Sequence, residues 1–227
     1  MAKVQLSEGQ VLRISADDLA EMYYTFKVPE IRARRNCLRM VFQHHELQHL
    51  SCYDPSIHHG KKLYISLSAL AMGDSLAVEI AQQAHHQVLF QLAGAMRDSE
   101  RVCYRRCFPR GPFFELLAID DHIGLQIVSW EDFKNQKPAR DTEVFKRAES
   151  AYRQVGLVQH QKKKRRCVTE GTFLGSEVDG KVGRVSAPRN RVLILMLCTS
   201  IISKAGHRHS SFALLCAWLL DSRFNVS

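Results

Sequence analysis

Residues 113–128 read FFELLAIDDHIGLQIV, an apolar run broken once by Asp120 and Asp121 and then resumed. On a regular strand two consecutive side chains point to opposite faces. Adjacent carboxylates also repel each other, and an apolar strand is a costly place to desolvate them. Both can serve one site only where the strand turns. FELLAI and HIGLQIV then become the two arms of a tight hairpin, with the acids at its tip, close together and partly solvated. A carboxylate pair of that kind is either turn chemistry, which Asp favours, or a set of ligands for a hard divalent cation.

The pair is not alone. VLRISADDLAEMYYTF, residues 11–26, opens with strand-like alternation and reaches Asp17 and Asp18. A third carboxylate on a neighbouring strand is what a two-metal phosphoryl-transfer site requires. One ion activates the attacking hydroxyl and the other stabilises the leaving pyrophosphate.

Around these segments the pattern alternates. VPEIRARRNCLRMVF (28–42) predicts a helix with Pro29 in its first turn and Ile31, Leu38, Val41 and Phe42 near one face. Residues 43–62 are His-rich and loop-like, and KLYISLSAL (62–70) reads as a strand. MGDSLAVEIAQQAHHQVLFQLAGAMR predicts a helix opened by a Gly-Asp cap, with Leu76, Ile80, Ala84, Val88 and Leu92 tracking one face. After KNQKPARDT, where Asp141 or Thr142 can cap, a helix carries Val144, Phe145, Ala148, Tyr152 and Val155. A basic run follows, then a hairpin signal at Asp179-Gly180. RVLILMLCTSII (191–202) is too short to span a bilayer and reads as a buried helix. Strands and helices alternate, so the class is α/β or α+β, with helices packed on one sheet.

Bulk composition is that of a soluble globular protein, with 227 residues, 45% hydrophobic and 24% charged. The net charge of +9 favours an anionic partner, nucleic acid first. Seven scattered cysteines and no signal peptide predict free thiols in an intracellular protein, nuclear or cytoplasmic, rather than a secreted or membrane one. CYRRC (103–107) is a single close pair without the second pair that a zinc site needs.

Taken in order, five segments resemble the palm domain of reverse transcriptases, the RNA-directed DNA polymerases of retroelements. DLAEMYYTFKV, from Asp18, is similar to the first palm motif, and ALAMGDSLAVEIAQ to the second, a glycine turn opening a long helix. AIDDHIGL resembles the third, the hairpin with paired aspartates. GLVQHQKKK resembles the fourth, and FLGSEV the fifth, the primer-grip hairpin. The resemblance assigns residues 1–180 to a palm and 181–227 to a helical C-terminal segment, the start of a thumb. It implies that Asp18 and Asp120 hold two Mg²⁺ ions (Mn²⁺ in their place), with Asp121 beside them and the Leu19 carbonyl as a further ligand. Tyr23 would stack under the sugar and exclude a 2′-hydroxyl, and Met72 and Gly73 would line the nucleotide pocket. Lys162 or Lys163 would protonate the pyrophosphate, and Phe173, Leu174 and Gly175 would hold the primer end. The implied partners are an RNA template, a DNA primer and a dNTP.

Three positions depart from the pattern. Ala118 stands where an aromatic is usual, Met72 where a glutamine is frequent, and Leu76 in place of a second glycine. The chain starts just before the first motif, so the expectation is a fragment without the fingers that grip the triphosphate. HELQH (45–49) matches H-E-x-x-H, two histidines a helical turn apart with Glu46 as general base, and points to a zinc metalloprotease instead. A third reading is a non-catalytic nucleic-acid-binding remnant, with RARR (32–35) and KKKRR (162–166) on phosphates.

Overall fold

The hairpin at residues 113–128 is present in the computed structural model, which describes residues 2–205. In chain order the first elements are β1 (Ala2–Lys3), β2 (Gln10–Asp18), α1 (Met22–Thr25), α2 (Glu30–Ala33), β3 (Phe42–Gln43), α3 (Pro55–His58) and β4 (Lys62–Leu63). Then come α4 (Ala77–Gln87), β5 (Phe113–Ala118), β6 (Asp121–Ser129), α5 (Trp130–Lys134) and α6 (Arg140–Val155). The last are β7 (Arg165–Val168), β8 (Glu170–Phe173), β9 (Ser176–Asp179), β10 (Arg184–Ser186) and α7 (Arg189–Ala205). The fold is α+β, with antiparallel strands and helices packed against them. One sheet has the order β5-β6-β2-β7 and another β1-β10-β9-β8.

The chain divides into two compact units. One comprises Ser15–Gly124 and Pro138–Arg165. Its core joins Leu19 and Met22, just past β2, to Ala81 and Leu89, and to Ala148 and Tyr152 of α6. A second cluster sets Phe113 of β5 against Val144 and Phe145 of α6. Helix and strand approach so closely here that only glycine fits at 124. A Cβ there would lie 2.7 Å from Cε2 of Phe145 and 3.0 Å from Cε2 of Phe113. Helix α6 ends where Gly156 turns left-handed at φ 74°. At its start Thr142 Oγ1 accepts from the Ala139 N–H at 3.4 Å, while Asp141 is buried and is not the cap.

The other unit comprises the described parts of Met1–Ile14, Leu125–Lys137 and Arg166–Ser227. Its antiparallel strands pair Ala2 with Val185, Val185 with Val178, and Val178 with Gly171. Asp179-Gly180 opens the connection from β9 to β10, as the DG signal predicts. Gly180 accepts from Leu12 N at 2.8 Å, and a Cβ on it would collide with the Leu12 carbonyl at 2.0 Å.

Four expectations are corrected. The 28–42 segment forms only α2 and a 3-10 turn at Arg34–Asn36, with Ile31, Leu38 and Val41 exposed. Arg34 pairs with Glu30 inside this short segment, and Arg32 is drawn off to Asp74, 42 residues further on. The 62–70 strand is reduced to β4 and isolated bridges of Ser66 to Cys37 and Ala69 to Lys27. Helix α4 starts after Leu76 without a side-chain cap, since Asp74 is taken by Arg32. It buries Ala77, Ala81 and His85, one position round from the expected face, because small residues let it approach the sheet most closely. Helix α7 forms, but Leu193, Met196 and Leu197 are exposed, where a buried helix was expected. Residues 206–227 of the expected C-terminal segment lie outside the described residues.

Candidate active site

Asp18 is the last residue of β2, and main-chain bonds fix it from two sides. Its carbonyl accepts from His160 N at 2.8 Å, and Ala20 N donates to Val158 O at 2.7 Å. On the other side Leu19 N donates to the Asp120 carbonyl at 3.0 Å. Leu19 also bridges Gln159, which sets the direction of its peptide. The end of β2, the hairpin tip and the 157–163 segment therefore meet. This brings Asp18, Asp120, Asp121 and Lys163 together. Lys163 Nζ lies 2.8 Å from Asp18 Oδ2. Lys162 is exposed, and its carbonyl accepts from Arg165 at 2.8 Å.

Electrostatics record the crowding. Burial, then the charge of Asp18, push the Asp120 carboxyl above its ordinary range, with Lys163 opposing. Asp121 is pushed up to about 6 by burial first, then by Asp120 and Asp18. The Lys163 ammonium is held up by its hydrogen bond to Asp18 and by the charges of all three acids. Three oxygen donors under mutual repulsion suit a hard divalent cation, which would relieve that repulsion. Their spacing is not that of a closed metal site. Among the described residues no three His, Cys, Asp or Glu side chains are gathered closely enough to hold an ion. The positive charge at Asp18 is that of Lys163. The donor chemistry is that of a hard divalent cation, while the carboxylates as placed are not gathered around one point.

The hairpin turn is Ile119-Asp120, with Asp121 opening β6. Ile119 sits at φ 56°. For a β-branched residue that conformation costs about 1–3 kcal/mol and persists only where the surroundings impose it. Helix α4 imposes it. Gln82 Oε1 accepts from Ile119 N at 2.7 Å, and Gln82 Nε2 donates to Leu117 O at 3.3 Å. His85 Nδ1 lies 2.7 Å from Ile119 O. Behind His85 runs a buried chain: His85 Nε2 to Tyr152 Oη at 2.8 Å, Tyr152 Oη to His122 Nδ1 at 3.3 Å, and His122 Nε2 to Glu115 Oε1 at 2.7 Å. All four residues are fully buried. The sequence places Tyr152 on its helix face but does not reveal the polar chain it belongs to. The one available signal was polar residues at Gln82 and His85, an i, i+3 pair on an otherwise apolar helix face.

Each of the other expected site residues has its own local setting. Glu21 at φ 51° bends the chain after β2, and Tyr23 then lies half-buried against the Leu19 cluster while Tyr24 faces solvent. Met72 and Gly73 line an open cleft of about 480 Å³ with Arg32, Arg35 and Asn36. Phe173, Leu174 and Gly175 belong to the other unit, where Leu174 (φ 48°) and Gly175 (φ 72°) form the two-residue turn between β8 and β9. HELQH is not on an α-helix. His44–Leu47 is a 3-10 turn, and Glu46 is engaged with the Gln43 N–H at 2.6 Å. The two histidines are thus not presented a helical turn apart, and the metalloprotease reading falls. The six described cysteines are free thiols.

No protein-family profile matches the chain. No curated protein matches it either. Among solved structures it is similar to the foamy viral protease-reverse transcriptase in complex with double-stranded DNA, at 13% sequence identity and a TM-score of 0.51. The match covers 92% of this chain and 32% of that one, so the chain spans about a third of that protein's length. The likeness is one of fold.

Proposed function

We propose that the end of β2 and the tip of the β5–β6 hairpin form a nucleotidyl-transfer site of the reverse-transcriptase type, adding a deoxynucleotide to a primer 3′-hydroxyl on an RNA template. The observation that carries this reading is the meeting of Asp18, Asp120 and Asp121 in one electrostatically coupled group beside Lys163. Asp18 and Asp120 are the residues to hold Mg²⁺ or Mn²⁺, with Asp121 adjoining them and the Leu19 carbonyl as a further oxygen. Such ions, when bound, activate a hydroxyl and neutralise phosphate charge. Lys163, kept protonated by three acids, has a proton to give to a leaving pyrophosphate. Tyr23, just past the bend at Glu21, is the ring that would occupy the space of a 2′-hydroxyl. The likeness in fold to a reverse transcriptase supports the reading, and so does the +9 net charge, which suits a polyanion.

The test is primer extension with Mg²⁺ and dNTP, beside Mn²⁺ binding followed by electron paramagnetic resonance. Asp120→Asn is expected to abolish extension and weaken Mn²⁺ binding while leaving primer–template binding largely intact. A variant that extends the primer like the wild type, or a wild type that binds Mn²⁺ no better than the variant, overturns the assignment.

A second reading, a non-catalytic nucleic-acid-binding module, is favoured by the Lys163–Asp18 pair and by the lack of a gathered metal group among the described residues. It predicts primer–template binding without extension at any Mg²⁺ concentration.

A further inference from the structure

The chain Glu115–His122–Tyr152–His85 is shut off from solvent and is too far inside the unit to meet a substrate. It nevertheless ends on the main chain of the hairpin turn, at the Ile119 carbonyl. A carbonyl only accepts, so His85 Nδ1 carries a hydrogen. Burial first, and then neighbouring His122, push the His85 ring down to about 3, so it is neutral and Nε2 is an acceptor. Tyr152 therefore donates to His85, and its oxygen accepts from His122 Nδ1. His122 Nε2 faces Glu115 Oε1, and one hydrogen lies between them. From Ile119 inward, each link determines the direction of the next as far as His122 Nδ1. His122 is further held by stacking on Phe145, with ring centroids 4.5 Å apart.

We propose that this buried relay makes His85 a positioning residue: it locks one imidazole tautomer, whose Nδ1–H pins the left-handed Ile119 turn and thereby presents Asp120 and Asp121 toward Asp18. The catalytic meaning of the lock rests on the nucleotidyl-transfer reading, whereas the lock itself is a property of the fold. Gln82, one turn earlier on α4, accepts from the Ile119 N–H through its Oε1, so the two side chains grip both polar groups of residue 119. A free turn would let Ile119 relax to negative φ and carry the adjacent carboxylates away from Asp18.

The two amide substitutions at His85 separate positioning from mere packing. His85→Asn places an N–H near the position of Nδ1, and His85→Gln places its polar group near Nε2; both remove the ring. Amide hydrogen exchange in the full chain reads the lock directly at Ile119 N, bonded to Gln82, and Leu19 N, bonded to Asp120 O. Both amides are expected to exchange about tenfold faster in His85→Gln, relative to α6 amides, and close to the wild-type rate in His85→Asn. Mn²⁺ affinity is expected to follow the same split, although the two melting temperatures fall alike. Equal acceleration in both variants, no acceleration in either, or Mn²⁺ affinity that tracks melting temperature alone overturns the proposal. Imidazole ¹⁵N spectra of the wild type decide it even if both variants unfold. A hydrogen on Nδ1 of His85 supports the lock, and one on Nε2 sinks it, because the ring could not then donate to Ile119. If the wild type binds no Mn²⁺, the active-site reading fails, and exchange and tautomer still judge the lock.

Discussion

Asp121 opens a strand, partly buried and beside two other acids, and its carboxyl, pushed up to about 6 from an ordinary 3.8, has a consequence for stability. Between those values the folded protein keeps a proton that the unfolded chain has released. The contribution of this group to stability therefore falls as pH rises from about 4 to about 6, and is level above that. Carboxyls held low, such as Asp74 beside Arg32, act in the opposite sense, so the difference between wild type and variant is the quantity to measure. Asp121→Asn should gain in stability relative to the wild type as pH rises through this window, in urea melts at successive pH values. A difference that does not vary with pH contradicts the burial and crowding of Asp121. At this scale the acids were legible, because adjacent carboxylates inside an apolar run conflict with any regular strand. Gln82 and His85 were not, because what they bond is a carbonyl and an N–H some 35 residues away.

Elements were legible where local chemistry and burial agree. The two arms around residues 119–120 and helix α6 combine apolar periodicity with a turn or cap that suits it. Helix α4 shows the opposite case. Its larger apolar residues suggested a face through Leu76 and Ile80, yet both are exposed, and the smaller Ala77 and Ala81 pack inward. Hydrophobicity alone ranks leucine above alanine, whereas close approach of a helix to its neighbours favours the small side chain. The β8–β9 hairpin yields a prediction of its own. A two-residue turn with positive φ at both positions is best served by Asn-Gly, and here it is Leu174-Gly175. With Leu174 half exposed there is little packing to lose, so Leu174→Asn should stabilise the protein by about 1 kcal/mol. Denaturant unfolding checks this. If Leu174 also grips a primer end, the same variant should bind primer–template less tightly despite its greater stability, and unchanged binding would remove that role.

Across the whole chain, the count of 32 Lys and Arg residues overstates what is free to meet a polyanion. In the 32–35 cluster Arg32 is paired with Asp74 and Arg34 with Glu30. In the 162–166 cluster Lys163 is paired with Asp18 and Lys164 with Glu149. Each such pair must open before its cation releases a counterion from phosphate, so the salt dependence of primer–template binding should be shallower than the basic count suggests. The logarithmic slope becomes shallower by about 0.9 for each phosphate that no longer meets a cation. Lys162→Gln, at an exposed lysine, is therefore expected to flatten the slope by about 1, and Lys164→Gln by much less. Equal effects from the two would mean that the Glu149 pair does not hold in solution.

By itself the sequence determined that helices pack on a sheet, the hairpin with its two aspartates, and Asp18 at the end of a strand, since each follows from side-chain alternation and from the cost of burying charge over a few residues. Only the tertiary structure decided that Lys163 sits on Asp18, that Gln82 and His85 hold the turn, and that HELQH is a 3-10 turn rather than a helix. Those outcomes depend on hydrogen bonds and ion pairs between residues far apart in the chain. Such bonds are made by single polar atoms whose partners no local periodicity records.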